Sequence, residues 1–238
     1  MSELKFVLIF VTMCASLSET APFLNNPEPR CPCVVLLDVS TSMSGLPIEA
    51  LNAGLEGLKS ALVGDSIASK RVEICVMAFD SSVRVVHDFS LIDEFEPPTL
   101  RPGGATFTGT AVCAALEHIE RRKRLYKEVG NRYFQPWLFL VTDGVPSGEG
   151  IGIYSKAASM VHELEQAKKL CFFGVGVQNA DMAKLAELSQ RPPLHLKGLA
   201  FAELFQWLSS SLQSIGNSKD TNMQVPLASP LNWGEVDS

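Results

Sequence analysis

Three short, uninterrupted apolar runs limit the folds that this chain can adopt. They cover residues 31–38 (C-P-C-V-V-L-L-D), 136–142 (P-W-L-F-L-V-T) and 170–177 (L-C-F-F-G-V-G-V). A strand that is apolar at nearly every position buries both of its faces, which is typical of the central strands of a parallel sheet. Because helices must cover both faces of such a sheet, the runs predict an α/β protein.

Segments with helical periodicity alternate with these runs. From Ile48 to Leu62 the apolar residues are three or four positions apart, and Pro47 suits the first turn of a helix. Further helices are predicted over residues 109–126, 154–169, 180–189 and 201–215. The alternation predicts a doubly wound, Rossmann-like fold, in which a mostly parallel central sheet has helices on both faces.

One edge of this sheet is predicted to be antiparallel. The β-rich runs 71–79 and 83–89 are joined by Asp80-Ser81-Ser82, which is typical of a hairpin. Residues 194–196 are predicted to add a last short strand. The 46% hydrophobic content of the chain is enough to fill the core of such a domain and excludes global disorder.

The two ends of the chain differ from this regular middle. Residues 1–18 contain a short apolar stretch followed by small residues, which resembles a signal peptide or an added strand, although Glu3 cancels the charge of Lys5. We therefore expect an N-terminal leader over 1–30, one domain over 31–215 and a flexible C-terminal tail over 216–238. No apolar run reaches the roughly 18 residues of a stable membrane span.

Charge and cysteine usage restrict the partners and the location. A net charge of −6 argues against a nucleic-acid binder, which would carry a basic surface, and the basic run 121–127 suits a solvated helix end. Most of the six cysteines lie in apolar segments and favour a reducing compartment. We expect a cytoplasmic protein, with export through the N-terminal segment as the alternative. The four histidines are scattered without metal-ligand spacing, so no role is predicted for them.

Oxygen-bearing side chains follow the predicted strands at three places. Asp38, Ser40 and Ser42 follow the first strand, Thr106 lies in the loop G-G-A-T-F-T-G, and Asp143 follows the strand that ends at residue 142. In open α/β sheets, ligands bind outside the carboxyl ends of the strands. Hydroxyls and carboxylates without His or thiolate suit Mg²⁺, Mn²⁺ or Ca²⁺ rather than Zn²⁺. Two carboxylates do not saturate such an ion, so an open coordination position is expected.

This ordered set resembles the von Willebrand factor A (VWA) domain and its metal-ion-dependent adhesion site (MIDAS). The family motif is D-x-S-x-S in the first loop, a Thr in the second and an Asp in the third. It is matched in this order by Asp38, Ser40, Ser42, Thr106 and Asp143. The resemblance spans about residues 31–215. Within the family, the segment N-P-E-P-R-C-P and the compact length look most like the bacterial intracellular branch that is associated with tellurium resistance.

The resemblance implies binding rather than catalysis. Mg²⁺ is the expected ion, with Mn²⁺ or Ca²⁺ as alternatives. Ser40, Ser42 and Thr106 would hold it through their hydroxyls, and Asp38 and Asp143 directly or through bound water. The vacant position of the ion would accept a Glu or Asp carboxylate from a partner protein.

Two other functions stay open at this point. A metal-dependent hydrolase or phosphoryl-transfer enzyme is the alternative, although G-x-x-x-x-G-K-[ST] and G-x-S-x-G are absent and Ser40 stands where a phosphoryl-transfer loop needs a second carboxylate. A metal-independent scaffold is the third reading, because Asp38, Ser40 and Ser42 also suit a turn and a helix N-cap.

Overall fold

The computed structural model describes Phe23 and residues 26–144, 146–218 and 233–236. The predictions for the rest of the leader and of the tail lie outside the described residues. The strands of this part of the chain are β1 (Cys31–Asp38), β2 (Val72–Phe79), β3 (Val83–Leu91), β4 (Trp137–Thr142), β5 (Cys171–Val177), β6 (Leu194–Leu196) and β7 (Gly234–Val236). The helices are α1 (Leu46–Val63), α2 (Ala68–Arg71), α3 (Thr108–Glu128), α4 (Ile153–Gln166), α5 (Met182–Ala186) and α6 (Phe201–Gly216).

All these strands belong to one sheet, in the order β3-β2-β1-β4-β5-β6-β7. The five central strands are parallel, and β3 pairs antiparallel with β2. The predicted fold class is therefore confirmed: a mostly parallel, doubly wound sheet with an antiparallel edge. The strand order reverses between β1 and β4, because the chain first extends the sheet on one side of β1 and then on the other.

Helices cover both faces of the sheet and build two apolar cores. In β1, Val35 and Leu37 point to the face that α1 and α6 cover, whereas Val34 and Leu36 point to the face that α3 and α4 cover. Every residue of β1, β2, β4 and β5 is buried, as the uninterrupted apolar runs of β1, β4 and β5 predict. Burial on both faces fixes the strand ends, and so fixes the loops that follow them.

The edge strand β7 corrects the prediction of a loose tail. Its residues 234–236 pair antiparallel with β6, so the sheet has a second antiparallel edge strand that was not predicted. Trp233 next to it is buried, its ring centroid lies 5.2 Å from that of Trp207, and its carbonyl accepts a hydrogen bond of 2.8 Å from the amide of Lys197. A three-residue strand is too short for periodicity to reveal, and the contact that holds it is tertiary.

A buried ionic cluster corrects the prediction that the basic run of α3 is a solvated face. Glu73 interrupts the apolar strand β2 and is buried. The guanidinium groups of Arg30 and Arg122 each lie within 3.0 Å of its carboxylate, on Oε1 and Oε2 respectively. A carboxylate that loses its water needs such partners, so Arg122 turns inward from the exposed helix face. In the sequence, the sign of this cluster is Glu73, a charged residue within an otherwise apolar strand.

We expect Trp233→Ala to lower the free energy of unfolding by about 3 kcal/mol, because it removes a buried ring and leaves a cavity beside Trp207. Urea unfolding followed by circular dichroism measures this value. Val63→Ala is the control: half of Val63 is exposed, so its substitution should cost less than about 0.5 kcal/mol. Equal midpoints for the wild type and Trp233→Ala would show that β7 does not contribute to the fold.

Candidate functional site

Parallel pairing of β1 with β4 brings two loops together at one edge of the sheet. The register pairs Leu37 with Val141, so Asp38 stands beside Thr142 at the carboxyl ends of the strands. This is the point where the strand order reverses, and loops diverge there to leave a crevice. Asp143 is the first residue after β4. The fold thus places the two acidic residues of the predicted site next to each other.

The carboxylate of Asp38 is fully buried and held on both oxygens. Its Oδ1 accepts a hydrogen bond of 2.8 Å from the backbone amide of Ser40, and its Oδ2 accepts one of 2.5 Å from the hydroxyl of Thr142. The first bond is an Asx-type turn that bends the chain directly after β1. Sequence reasoning did not select Thr142, which orients the acidic group from the neighbouring strand.

The hydroxyls of the first loop connect to the third loop. Ser40 Oγ and Ser42 Oγ lie 3.0 Å apart, and Ser42 Oγ donates a bond of 2.8 Å to Asp143 Oδ1. The two serines are therefore on one side of the turn, as their spacing of two residues predicts. Ser42 and Asp143 are 101 residues apart in the chain, and only the tertiary fold brings them together.

Thr106 of the second loop packs against the residue after Asp143. A Cβ added at Gly144 would lie 2.8 Å from both Oγ1 and Cγ2 of Thr106, so the side chain of Thr106 packs directly against the backbone of the third loop. Gly144 makes this approach possible because it has no Cβ. Thr106 is buried, and its carbonyl accepts a bond of 2.9 Å from the amide of Ser147.

Backbone bonds fix the second loop to the first. The amide of Gly103 donates to the carbonyl of Val39 at 2.7 Å, and both the amide and the hydroxyl of Thr41 donate to the carbonyl of Gly104, at 3.1 Å and 3.0 Å. The positive φ of 83° at Gly104 suits glycine. All five predicted site residues thus lie in three loops that touch one another.

Both carboxylates of this cluster resist ionisation. Burial, aided by the charge of the neighbouring Asp143, raises the pKa of Asp38 to about 6 in spite of the bonds from Thr142 and Ser40. Burial also raises the pKa of Asp143, against the effect of the Ser42 hydroxyl. Neither group forms an ion pair with any residue that the structure describes. The two acids lose water on folding and have no positively charged side chain beside them, so a bound cation would stabilise their ionised forms.

The donor set fits a hard divalent cation. Two carboxylates and three hydroxyls offer oxygen only, which is the preference of Mg²⁺, Mn²⁺ and Ca²⁺. In such a site the ion would supply positive charge and an open position for an anionic ligand. Asp38, Ser40, Ser42, Thr106 and Asp143 are the residues that could hold it.

The fold and a sequence comparison agree on the class of protein. Residues 33–204 match the model of the von Willebrand factor type A domain. The chain belongs to this family, whose domains are commonly metal-dependent protein-interaction modules. No curated protein sequence matches the chain.

Solved structures of low sequence identity share the fold. Proximal thread matrix protein 1 from the mussel byssus is 18% identical, with a TM-score of 0.54 over 79% of this chain and 48% of that protein. The pilus adhesin SpaC from Lactobacillus rhamnosus GG is 12% identical, with a TM-score of 0.63 over 79% of this chain and 31% of SpaC. The vWF domain of the type V pili tip protein Mfa5 from Porphyromonas gingivalis is 12% identical, with a TM-score of 0.55 over 81% and 98% of the two chains.

These neighbours are a pilus adhesin, a pilus tip protein and a matrix protein, and the present chain spans about half the length of the mussel protein. A further structure of the mussel protein has a zinc-occupied MIDAS motif. In the part of the present chain that the structure describes, no helix is both long and apolar enough to cross a membrane.

We expect Asp38→Asn to stabilise the fold in EDTA above pH 6. Folding raises the pKa of Asp38 from its ordinary 3.8 to about 6, so the fold favours the protonated carboxyl. Its stabilising effect is complete below about pH 4 and is lost as the pH rises through 6. Two pKa units correspond to about 2–3 kcal/mol, and an amide does not ionise.

Urea unfolding of the wild type and Asp38→Asn from pH 4 to pH 8 measures this difference. The two should unfold alike near pH 4, and the variant should be more stable at pH 7. Asp65→Asn is the control, because hydrogen bonds lower the pKa of this exposed carboxyl and the substitution should destabilise. If Asp38→Asn were less stable than the wild type at pH 7, the ionised carboxylate of Asp38 would not destabilise the fold.

Proposed function

We propose that this protein is a metal-dependent protein-binding module that captures a Glu or Asp side chain of a partner. The cation would be held by the hydroxyls of Ser40, Ser42 and Thr106 and by the carboxylates of Asp38 and Asp143. The observation that supports this most is the pair of buried, adjacent carboxylates without a cationic partner among the described residues. Such a pair favours the binding of a divalent ion.

The charge of the donor set favours an acidic partner. Two carboxylates at most neutralise a divalent ion, and the three hydroxyls add no charge. A ligand carboxylate would supply both a further oxygen and a negative charge to an ion that still has an open position. The side chain of Ser42 is exposed at the rim of the site, where a ligand could approach the ion.

The chemistry of the loops favours binding over hydrolysis or phosphoryl transfer. A metal-dependent hydrolase needs a general base, yet residues 38–45, 103–107 and 143–152 contain no His, Lys or Cys. The remaining acid there, Glu149, accepts bonds of 3.1 Å and 2.9 Å from the amides of Gly109 and Thr110. It therefore caps the N-terminus of α3 and is not positioned as a base.

Mg²⁺ is the proposed ion, with Mn²⁺ or Ca²⁺ as alternatives, on the basis of the all-oxygen donor set.

A cytoplasmic location is proposed as well, because the thiols of Cys31, Cys33, Cys75, Cys113 and Cys171 are all free. A role in a bacterial stress response of the tellurium-resistance type stays a prediction from the resemblance. Cell fractionation and N-terminal sequencing would test the location against export.

Divalent-ion binding is the first test. We expect the wild type to take up one Mn²⁺ or Mg²⁺ weakly in isothermal titration calorimetry, since only two of five ligands are charged. Asp38→Ala/Asp143→Ala should show no uptake. Asp93→Ala/Glu94→Ala, which changes two acidic residues of a surface turn, is the matched control and should bind as the wild type does. Equal uptake by the wild type and the Asp38/Asp143 double variant would refute the site.

Partner capture is the second test. We expect Ser40→Ala/Ser42→Ala to keep a thermal unfolding midpoint close to that of the wild type, because each lost hydrogen bond is worth about 1 kcal/mol. The variant should nevertheless lose the proteins that the wild type retains in Mg²⁺ and releases in EDTA. Ser44→Ala is the control, because its exposed hydroxyl only bonds the carbonyl of Thr41. Retention that EDTA does not reverse would contradict a metal-bridged contact.

A further inference from the structure

A second group of metal-ligating side chains lies under the antiparallel edge of the sheet, outside the three loops. It consists of Cys75 in β2, Asp88 in β3 and His118 in α3. One ligand atom of each residue lies within 4.8 Å of the others. Sequence reasoning gave His118 no role, because its two neighbours are 30 and 43 positions away in the chain.

Three elements position this group. Cys75 points from the middle of β2 to the face that α3 covers. The register of β3 against β2 shifts between Ile74 and Val76, opposite the segment from Ser90 to His87 that contains Asp88. A β-bulge of this kind re-aims a side chain, and such bulges are frequent beside functional sites. The bulge explains how Asp88 of the edge strand β3 reaches α3, the helix that covers this face of β2.

The imidazole of His118 is held in place on two sides. Its Nε2 lies 2.7 Å from Asp88 Oδ1. The ring of Phe89 stacks on it, with 5.3 Å between centroids and 12° between planes. The stacked ring of Phe89 restricts the imidazole, so little side-chain entropy would be lost when an ion binds. The ion would replace the direct contact between His118 and Asp88.

The group is open to solvent on one side and closed on the other. Cys75 is buried, whereas the side chain of Asp88 is 70% exposed and that of His118 is 12% exposed. Asp88 and His118 line a groove of about 330 Å³ between β3 and α3. An ion could enter from this groove and meet Asp88 and His118, and the ligand atom of Cys75 lies within 4.8 Å of theirs.

The surrounding charges permit a cation. Arg121 and Arg122 line the same groove, but the guanidinium of Arg122 is bonded to Glu73 at 2.9 Å, so that carboxylate compensates its charge. Burial keeps the Cys75 thiol protonated in the absence of metal, with a pKa far above its ordinary value. A bound metal ion would displace that proton to solvent, since thiolate is the ligating form.

We infer that Cys75, Asp88 and His118 form a site for a borderline-soft divalent metal ion of the zinc class. Sulfur, nitrogen and carboxylate oxygen are the three donor types that Zn²⁺ takes, and a water from the groove would complete four-coordination. The thiol proton leaves to solvent and no oxidation state changes. The ligand atoms lie within 4.8 Å of one another, so the most distant of them must approach by about 1 Å to reach normal zinc distances. His118 Nε2 and Asp88 Oδ1, at 2.7 Å, must separate slightly to admit the ion, and the exposed bulge at Asp88 can supply that movement. The bound ion would link the edge strand β3 to α3.

Cobalt substitution tests this site separately from the hydroxyl site. The full chain carrying Asp38→Ala/Asp143→Ala, in which the three loops should take up no ion, is stripped with EDTA and titrated with Co²⁺. We expect a thiolate-to-cobalt charge-transfer band in the near ultraviolet, which oxygen ligands alone do not produce. Cys75→Ser should abolish the band, and Cys113→Ser, which removes the half-exposed thiol on the same helix as His118, should keep it.

Affinity measurements cover the case in which Cys75→Ser fails to fold. Zn²⁺ competition against a chromophoric chelator should show binding weakened about 10–100-fold or more by His118→Ala and by Asp88→Asn. Glu117→Ala, next to His118 on α3, should leave it unchanged. Any of four results would overturn the inference. The cobalt band could be absent, survive in Cys75→Ser or be lost in Cys113→Ser, or zinc affinity could be unchanged in the His118 and Asp88 variants. None of these results depends on Mg²⁺ binding by the three loops.

Discussion

The buried pair Asp38 and Asp143 is the constraint on which the rest of this structure depends. Parallel pairing of β1 with β4 places the two carboxylates at adjacent strand ends. Desolvation then raises both pKa values. The three loops around the pair are arranged to supply hydroxyls and amides, which relieve the cost of burial only in part.

A comparison with Glu73 shows how this pair differs from a structural ion pair. Glu73 also lies in a buried strand, but Arg30 and Arg122 place guanidinium groups on its two oxygens. At the carboxyl ends of the strands, Asp38 accepts hydrogen bonds from a hydroxyl and an amide, and Asp143 accepts one from a hydroxyl. The same fold therefore holds one buried acid whose charge is compensated and two whose charge is not. The proposed metal ion would compensate the charge of Asp38 and Asp143.

The sequence predicted most of the fold because each prediction depended on local periodicity. The uninterrupted runs of β1, β4 and β5 and the three-and-four spacing of α1 are found where they were expected. The errors concern residues whose environment is decided by distant partners. β7 is held by pairing with β6 and by the Trp233–Trp207 contact, and Arg122 leaves the solvated face because Glu73 lies beneath it. Helical and strand periods carry no information about such partners.

The sequence by itself determined which oxygen donors this protein offers and which of them follow an apolar strand. Asp38, Ser40, Ser42 and Asp143 come directly after such strands, and Thr106 could be selected by its Gly-Gly loop and its order between them, which are local properties. In the structure, Thr106 lies in the loop before α3, 15 residues after β3 ends at Leu91, and not at a strand end. Only the tertiary structure decided that Ser42 bonds Asp143, that Thr106 faces Gly144, and that Thr142 holds Asp38. It also decided that Cys75, Asp88 and His118 meet under the edge strand. The physical reason is that a strand register and a β-bulge set these distances, and both arise from packing between segments that are far apart in the chain.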